Sequence, residues 1–452
     1  MTLRTALEDW RQFGHGRYRA FRYLAICQGV VAVLTGFDVI IPFALAIGIP
    51  PALAVLLGIV PLAGGIAQLA MPRLLDRTDG NLRGITIFLA AIAEPRGFYF
   101  AALAVLAAAG MLAGPTAFVV LGTLVGVTSV ISSIATSNML SWYSAVLPEN
   151  ERRLVVPRLM AISLAVGALL LLPIALVLDA LSHQIGMLAY AIPFVISGTL
   201  GVAEIAVMVR LPNPGRVIVP PAALADAPGS QQTPQLAQFV RVSTLNALGM
   251  GFAPSFSVFM ISILGMTAGF SMIVGSIGTL TQVVSATIAG TRLVHSSSER
   301  MLRHSFWIRA AAMALPLLAW PGSMLAPFLL IGTSMLGAIG FSSGQLAANE
   351  RVFRLIQGPA VVRQHARYLA RTSGAMTVGQ IIGSAVIAAG MSIGYPAFAL
   401  LYAASSTVRV AAWRMARPTE MAAPTATQVA VTSARTFAGN EKTAEAEATA
   451  AV

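Results

Sequence analysis

The chain alternates long apolar runs with short polar breaks. About 20 apolar residues in a helix cross about 30 Å of hydrocarbon. Runs of that kind fall at roughly 22–47, 52–72, 84–109, 116–140, 157–180, 187–209, 240–264, 268–291, 303–320, 326–346, 369–389 and 395–416. Each is expected to be an α-helix, because a backbone facing lipid must satisfy its own hydrogen bonds. The pattern predicts an all-α membrane protein with 12 transmembrane helices. Trp142, Trp320 and Trp413 fall at the expected membrane–water boundaries, where amphipathic rings gather.

The polar breaks are of two kinds. Those near Gly48–Pro51, Gly110–Pro115, Leu181–Gly186, Gly265–Gly269, Pro321–Leu325 and Gly390–Gly394 carry no Arg or Lys. The alternate breaks hold Arg73, Arg77 and Arg83; Arg152, Arg153 and Arg158; Arg210 and Arg216; Arg292, Arg300 and Arg303; Arg351, Arg354, Arg363 and Arg367. Basic loops stay cytoplasmic because their charge resists translocation. Both termini are therefore predicted inside a plasma (inner) membrane, with six short loops outside.

Two stretches do not read as membrane. Residues 211–239 contain LPNPGRVIVPP and ADAPGSQQTPQ, the composition of a linker. Residues 418–452 are rich in Ala, Thr and Glu without apolar periodicity, as expected of a disordered cytoplasmic tail. Residues 1–21 form a polar, cytoplasmic N-terminal segment. What remains divides into 22–210 and 240–417, six apolar runs each.

The two parts read as copies. Ser132, Asn138, Trp142, Pro148 and Arg152 correspond, at an offset of 211, to Ser343, Asn349, Phe353, Pro359 and Arg363. Arg73-Leu74 matches Arg292-Leu293 at 219, and Gln28 matches Asn246 at 218. Internal repeats are typical of secondary transporters, in which two halves rock about a midplane site. The expected architecture is two pseudo-symmetric six-helix halves.

Charged residues make up 10% of the chain and apolar ones 57%, against about 25% and 45–50% in soluble domains. The net charge of +12 would suggest nucleic acid for a soluble protein. Here it is the inward positive bias, with some attraction to membrane lipid. The single cysteine, Cys27, allows no internal disulfide, and no HExxH pair, GxSxG elbow or Walker A loop is present. No enzyme, metal or cofactor is expected.

The segment Pro72-Arg-Leu-Leu-Asp76-Arg77-Thr-Asp-Gly80-Asn-Leu-Arg83 is similar to the G-x-L-a-D-r-x-G-r-k motif of the major facilitator superfamily. Asp76 and Arg77 stand where the motif has its Asp and Arg; Pro72 replaces its first Gly, and His295 stands at the Asp position of the second-half counterpart. Asn138-x3-Trp142-Tyr143 and Leu147-Pro148-Glu149 also resemble that family. The resemblance covers roughly residues 20–417. It implies that Asp76, Arg77 and Arg83 form a cytoplasmic gating latch. It also implies that the first, eighth and eleventh spans line a central cavity, and that the third and ninth are peripheral.

An ionisable group at bilayer depth is costly, about 2.5–3.5 kcal/mol on insertion scales, so each one is a candidate site. Asp38 lies 10 residues before Gly48, about 15 Å from the outer end of its span. It is expected to carry the coupling proton. The string Gly36-Phe-Asp38-Val-Ile-Ile-Pro42 resembles an acidic first-span motif of proton-coupled members. Gln282 and Gln380 also fall near mid-depth, with Gln28 and Asn246 shallower. These uncharged amides suit hydrogen bonding to a solute without net charge. Glu94 and Arg96 are two residues apart, so they point to different faces of a helix unless Pro95 kinks it. Arg309 lies deep enough to snorkel to the inner boundary. Glu204, six residues from Arg210, is expected at the interface. These four are read as structural charges.

The sequence is thus read as a monomeric secondary active transporter of a small organic solute, working by alternating access and coupled to H+. The alternatives are a non-transporting receptor or assembly factor of the same fold, or a lipid or amphipath flippase.

Overall fold

In a computed structural model, the described residues are 18–58, 66–70, 74, 77–78, 80–147, 149–213, 234–252, 255–293, 297–355, 361–390 and 393–416. The segment before 18, most of the 211–239 linker and the tail beyond 417 lie outside them. All regular structure among the described residues is helical. The first set of helices is α1 (Arg19–Leu34), α2 (Phe37–Ala46), α3 (Pro51–Leu56), α4 (Leu82–Ala93), α5 (Arg96–Ala108), α6 (Gly114–Val146), α7 (Glu149–Ile185) and α8 (Ala191–Arg210). The second set is α9 (Pro234–Met250), α10 (Ala268–Leu293), α11 (Ser298–Ala314), α12 (Ala326–Leu355), α13 (Val361–Gly390) and α14 (Tyr395–Met415). Among the described residues, seven helical stretches are long and apolar enough to cross a membrane; the longest, of 53 residues, reverses at Gly186.

Each of the six breaks without Arg or Lys contains a glycine at positive φ: Gly48, Gly110, Gly186, Gly265, Gly322 and Gly394. A left-handed residue reverses the chain in few residues, and glycine does so without a Cβ clash. One end of the molecule is therefore a set of tight glycine turns, and the other carries the arginines.

Two apolar runs were expected to be followed by longer loops than the structure has. Only Leu147 and Pro148 separate α6 from α7, and α12 continues to Leu355. The polar residues there contain no helix breaker before Pro148, so the helices run on beyond the apolar boundary. Trp142, expected in the boundary belt, is instead fully buried and donates from Nε1 to the Pro212 carbonyl at 2.8 Å. A ring with one polar handle serves equally as a tie, here between α6 and the end of α8.

The two sets pack in corresponding ways. In the first, α1 packs on α7 and α8, α5 on α8, and α4 on α6. In the second, α9 packs on α13 and α14, α11 on α14, and α11 on α12. Between the sets, α7 lies against α10 and α3 against α13. Close approach depends on glycine at matching places. A Cβ at Gly29 of α1 would lie 2.0 Å from the Ser163 carbonyl oxygen of α7. One at Gly251, just past α9, would lie 2.2 Å from the Met376 carbonyl oxygen of α13.

Because backbone rather than a flexible side chain occupies that space, Gly29→Leu should lower the melting temperature by the equivalent of about 1–3 kcal/mol or more. Gly374→Ala, with nothing within 4 Å of the new Cβ, should leave it nearly unchanged. Thermal unfolding of the two variants in detergent checks both.

Candidate functional site

The first apolar run is two helices. α1 stops at Leu34, Thr35 and Gly36 are non-helical, and α2 begins at Phe37. Asp38 falls in the first turn of α2, where the free N–H groups favour a carboxylate. It is partly exposed and has no hydrogen-bond or ionic partner among the described residues. Its carboxylate rests against Gly275 of α10: a Cβ there would lie 2.7 Å from Asp38 Cγ. Gln282 is seven residues further along α10, about two turns and so on the same face. It is partly exposed, and next to it the Ser285 hydroxyl is paired with that of Ser342 on α12.

What holds the α1–α2 break is the charge pair that the sequence left ambiguous. Glu94 and Pro95 interrupt the third apolar run between α4 and α5. The resulting kink brings Glu94 and Arg96 together, at 3.6 Å, instead of setting them on opposite faces. Arg96 Nε donates to Thr35 Oγ1 at 2.8 Å, and Thr35 Oγ1 donates to the Val31 carbonyl at 2.6 Å. The Ser132 hydroxyl donates to Glu94 at 3.3 Å. Arg96 thus fixes the break three residues before Asp38. Glu204, expected at the interface, is instead buried at 1% exposure and hydrogen-bonded to the half-buried Gln28. The inward face of α8 is turned onto α1 and α5, and Glu204 goes with it.

The seventh apolar run is broken as well. α9 ends at Met250, Gly251 and Phe252 form a turn, and a helix over Ser255–Val258 passes into a π-helical turn over Phe259–Ile263. Such turns often accompany functional sites. Asn246 is buried one turn before the break and donates to Met250 Sδ at 3.6 Å. Gln380 of α13 is fully buried next to Gly251 and donates to the Val55 carbonyl of α3 at 2.8 Å. Arg309, expected to snorkel, points inward. It is 6% exposed, donating to Met250 Sδ at 3.2 Å and to the Phe341 carbonyl at 3.0 Å.

At the glycine-turn end the sets are hydrogen-bonded together. Asp179, near the end of α7, accepts from Thr267 Oγ1 and from the Gly269 backbone N–H, each at 2.9 Å. It caps the N-terminus of α10 from the other set. Ser384 Oγ donates to the Ala52 carbonyl at 2.5 Å. Of the motif at the arginine-bearing end, Asp76 lies outside the described residues and Arg77 is exposed. Arg83 donates to the Val209 carbonyl at 2.6 Å, at the C-terminus of α8 within its own set.

The sequence reading missed Thr35, Asp179 and Arg409. Arg409 sits on α14 at 3% exposure, donating to Ser405 Oγ at 2.8 Å. Its lone charge inside an apolar run was the available signal. For Asp179, the signal was an acid within a few residues of a loop lacking Arg and Lys.

Removing one partner of the buried pair leaves the other unanswered. Arg96→Met should destabilise by about 3 kcal/mol, and the double change Glu94→Gln with Arg96→Met by clearly less. A thermal double-mutant cycle checks this, and purely additive losses would contradict the pairing.

No family model and no curated protein matches the sequence. Solved structures do match. The nucleoside transporter NupG aligns at TM-score 0.65 and 13% identity, over 88% of this chain and 98% of its own. A bacterial homologue of the iron transporter ferroportin, in an inward-facing state, aligns at 0.63 and 14%, over 89% and 98%. A POT family transporter in complex with 5-aminolevulinic acid aligns at 0.67 and 12%, over 91% and 98%. These are transporters of one architecture, and this chain is a multi-pass membrane protein with the major facilitator fold.

Proposed function

We propose that the chain is a secondary transporter that moves a small organic solute across the plasma membrane by alternating access, with Asp38 carrying a coupling proton. The observation that carries this reading is the pair of helix breaks, after Leu34 and after Met250, at corresponding places in the two sets. Interrupted helices at matching positions of two repeats are the best pointer to a transporter's binding site. Asp38 lies at the first break without a partner, and Asn246 and Gln380 lie at the second. The structural neighbours are transporters of nucleosides, of iron (by homology) and of peptides, so the fold does not choose among solutes.

The mirrored packing supports two six-helix halves, 22–210 and 240–417, joined by the 211–239 linker. Arginine placement supports an inward arginine end. On that orientation the Asp179, Gln380 and Ser384 contacts shut the outer side, and the two halves rock apart there when the cycle turns. Gln282 faces the same side of α10 as the Asp38 contact and is a solute ligand in this reading. Arg83 joins Asp76 and Arg77 in the inner latch of the opposite state.

The test begins with the purified protein and a broad panel of metabolites, screened for thermal stabilisation at acid and at neutral pH. Asp38→Asn should then abolish proton-driven accumulation of the stabilising solute in proteoliposomes while preserving solute exchange. Unchanged driven uptake would remove the coupling role. A well-folded protein that binds but never exchanges would support a non-transporting receptor.

The outer closure has its own readout. In a Cys27→Ala background, a cysteine at the buried Ser271 should resist an impermeant maleimide, and Asp179→Ala should raise its labelling several-fold. Equal labelling would mean that Asp179 does not hold the outer side shut.

A further inference from the structure

The interior of the second set holds two guanidinium groups and no carboxylate to meet them. Arg309 on α11 and Arg409 on α14 are 6% and 3% exposed, on helices that pack against each other. Their acceptors are a thioether, a backbone carbonyl and a serine hydroxyl. A thioether is a weak acceptor and none of the three carries charge. The Nε atom of each arginine is buried with no acceptor among the described residues.

Among the described residues, nothing nearby supplies a negative charge. Between residues 234 and 416 the only acids are Glu299 and Glu350. Glu299 is paired with Arg351, and Glu350 lies nine residues beyond Phe341 on α12, about 13 Å along the helix. The charged group that faces Arg409 is Arg309 itself. The titratable group beside Arg309 is the Tyr368 phenol, which donates no counter-charge at neutral pH. The acids of the first set whose side chains are described are engaged elsewhere, Glu94 with Arg96, Asp179 at the start of α10 and Glu204 with Gln28, or, as with Asp38, lie against α10. Two like charges buried in an apolar bundle are far from a stable resting arrangement unless an anion joins them.

We propose that Arg309 and Arg409 form an anion site that binds the carboxylate or phosphate of a small organic solute. The site lies beside the break that ends α9. Met250, the last residue of α9, has its thioether between Asn246 and Arg309. An unbranched thioether side chain moves aside readily, so Met250 is the plug between the break and the two arginines. Both arginines are enclosed by helices, which suits a small free anion rather than the headgroup of a lipid held at the bundle surface. The inference rests on the transporter reading for the solute's route. It changes the expected class from an uncharged solute to an anion, with Asn246 placed to contact its uncharged part.

The test is binding to the purified full-length protein in detergent. The probes are sodium acetate, succinate, phosphate, glycerol 3-phosphate and chloride, each organic anion beside its uncharged analogue (acetamide, succinamide, glycerol). At least one organic anion should raise the melting temperature where its analogue does not. Arg309→Gln and Arg409→Gln should weaken that binding by about tenfold or more, and Arg409→Lys by less. Each Gln variant should also melt higher than the wild type without ligand, because it removes one of two unanswered like charges. If no organic anion acts on a well-folded wild type, or if chloride acts equally, the proposal is overturned. It is also overturned if the Gln variants keep full anion binding, or melt lower with the wild type indifferent to anions. Anion binding without exchange in proteoliposomes would leave this site standing and remove the transporter reading. Exchange of an uncharged solute with no anion effect would do the reverse.

Discussion

A charge placed among apolar helices, away from water, has to be answered by the chain or by something the chain binds. That constraint organises this molecule. Each such charge would cost about 2.5–3.5 kcal/mol on insertion scales, comparable to a sizeable part of a domain's net stability. Glu94 and Arg96 answer each other. Asp179 is answered by the N-terminus of α10 and the Thr267 hydroxyl. Asp38 is answered only by the first turn of its own half-helix, a contribution of about 0.3–1 kcal/mol. That falls short of the cost of a fully buried charge, and in the proposed reading a coupling proton would remove the remainder. Arg309 and Arg409 have no charged answer at all. The sequence of increasing deficit, from structural pair to gate to coupling group to ligand site, runs parallel to the roles argued above.

The fully paired charges also build the site. The kink at Glu94–Pro95 lets residues two apart meet, and their pair places a guanidinium on Thr35. Thr35 both accepts from Arg96 and donates to Val31, so the non-helical step between α1 and α2 has its own hydrogen bonds. Without such partners an interrupted helix in lipid would leave backbone groups bare. The break is therefore a held geometry, and it sets where Asp38 begins the next helix.

The fold was legible in the sequence because the membrane imposes one rule on every span. Apolar run lengths gave the all-helical class, though the first, third and seventh runs are each interrupted, and each break lacking Arg and Lys contains a positive-φ glycine. Side-chain direction was not legible. Whether Glu204 faces an interface or a core depends on how α8 rotates against α1 and α5, which no local pattern encodes. Arg309 could snorkel by length alone, yet Gly340 and Gly344 of α12 leave the space that draws it inward. Trp142 has the composition of a belt residue and became a buried tie because Pro212 presents a carbonyl to it. Asp38 and Gln282 could be proposed from sequence because depth along a run is a one-dimensional quantity. Arg409 and Asp179 were missed because their meaning lies in what surrounds them on other helices.

The strength of the seam between the two sets bears on whether such an assembly can cycle. Five hydrogen bonds are described between the sets: two to Asp179, one from Gln380, one from Ser384 and one from Ser276 to the Ala168 carbonyl. At a net of about 0.5–1.5 kcal/mol for each neutral bond and about 1.5–3 kcal/mol for each bond to the carboxylate, they amount to about 4.5–10.5 kcal/mol. Moving a two-state equilibrium from one side almost wholly to the other takes about 5.5 kcal/mol of differential binding. In the proposed cycle, that is the scale of energy that differential binding of a solute or a proton would have to offset. A covalent or multiply ion-paired seam would exceed that range. All five donors are uncharged, and the acceptors are three backbone carbonyls and one carboxylate, so no ion pair is described across the seam.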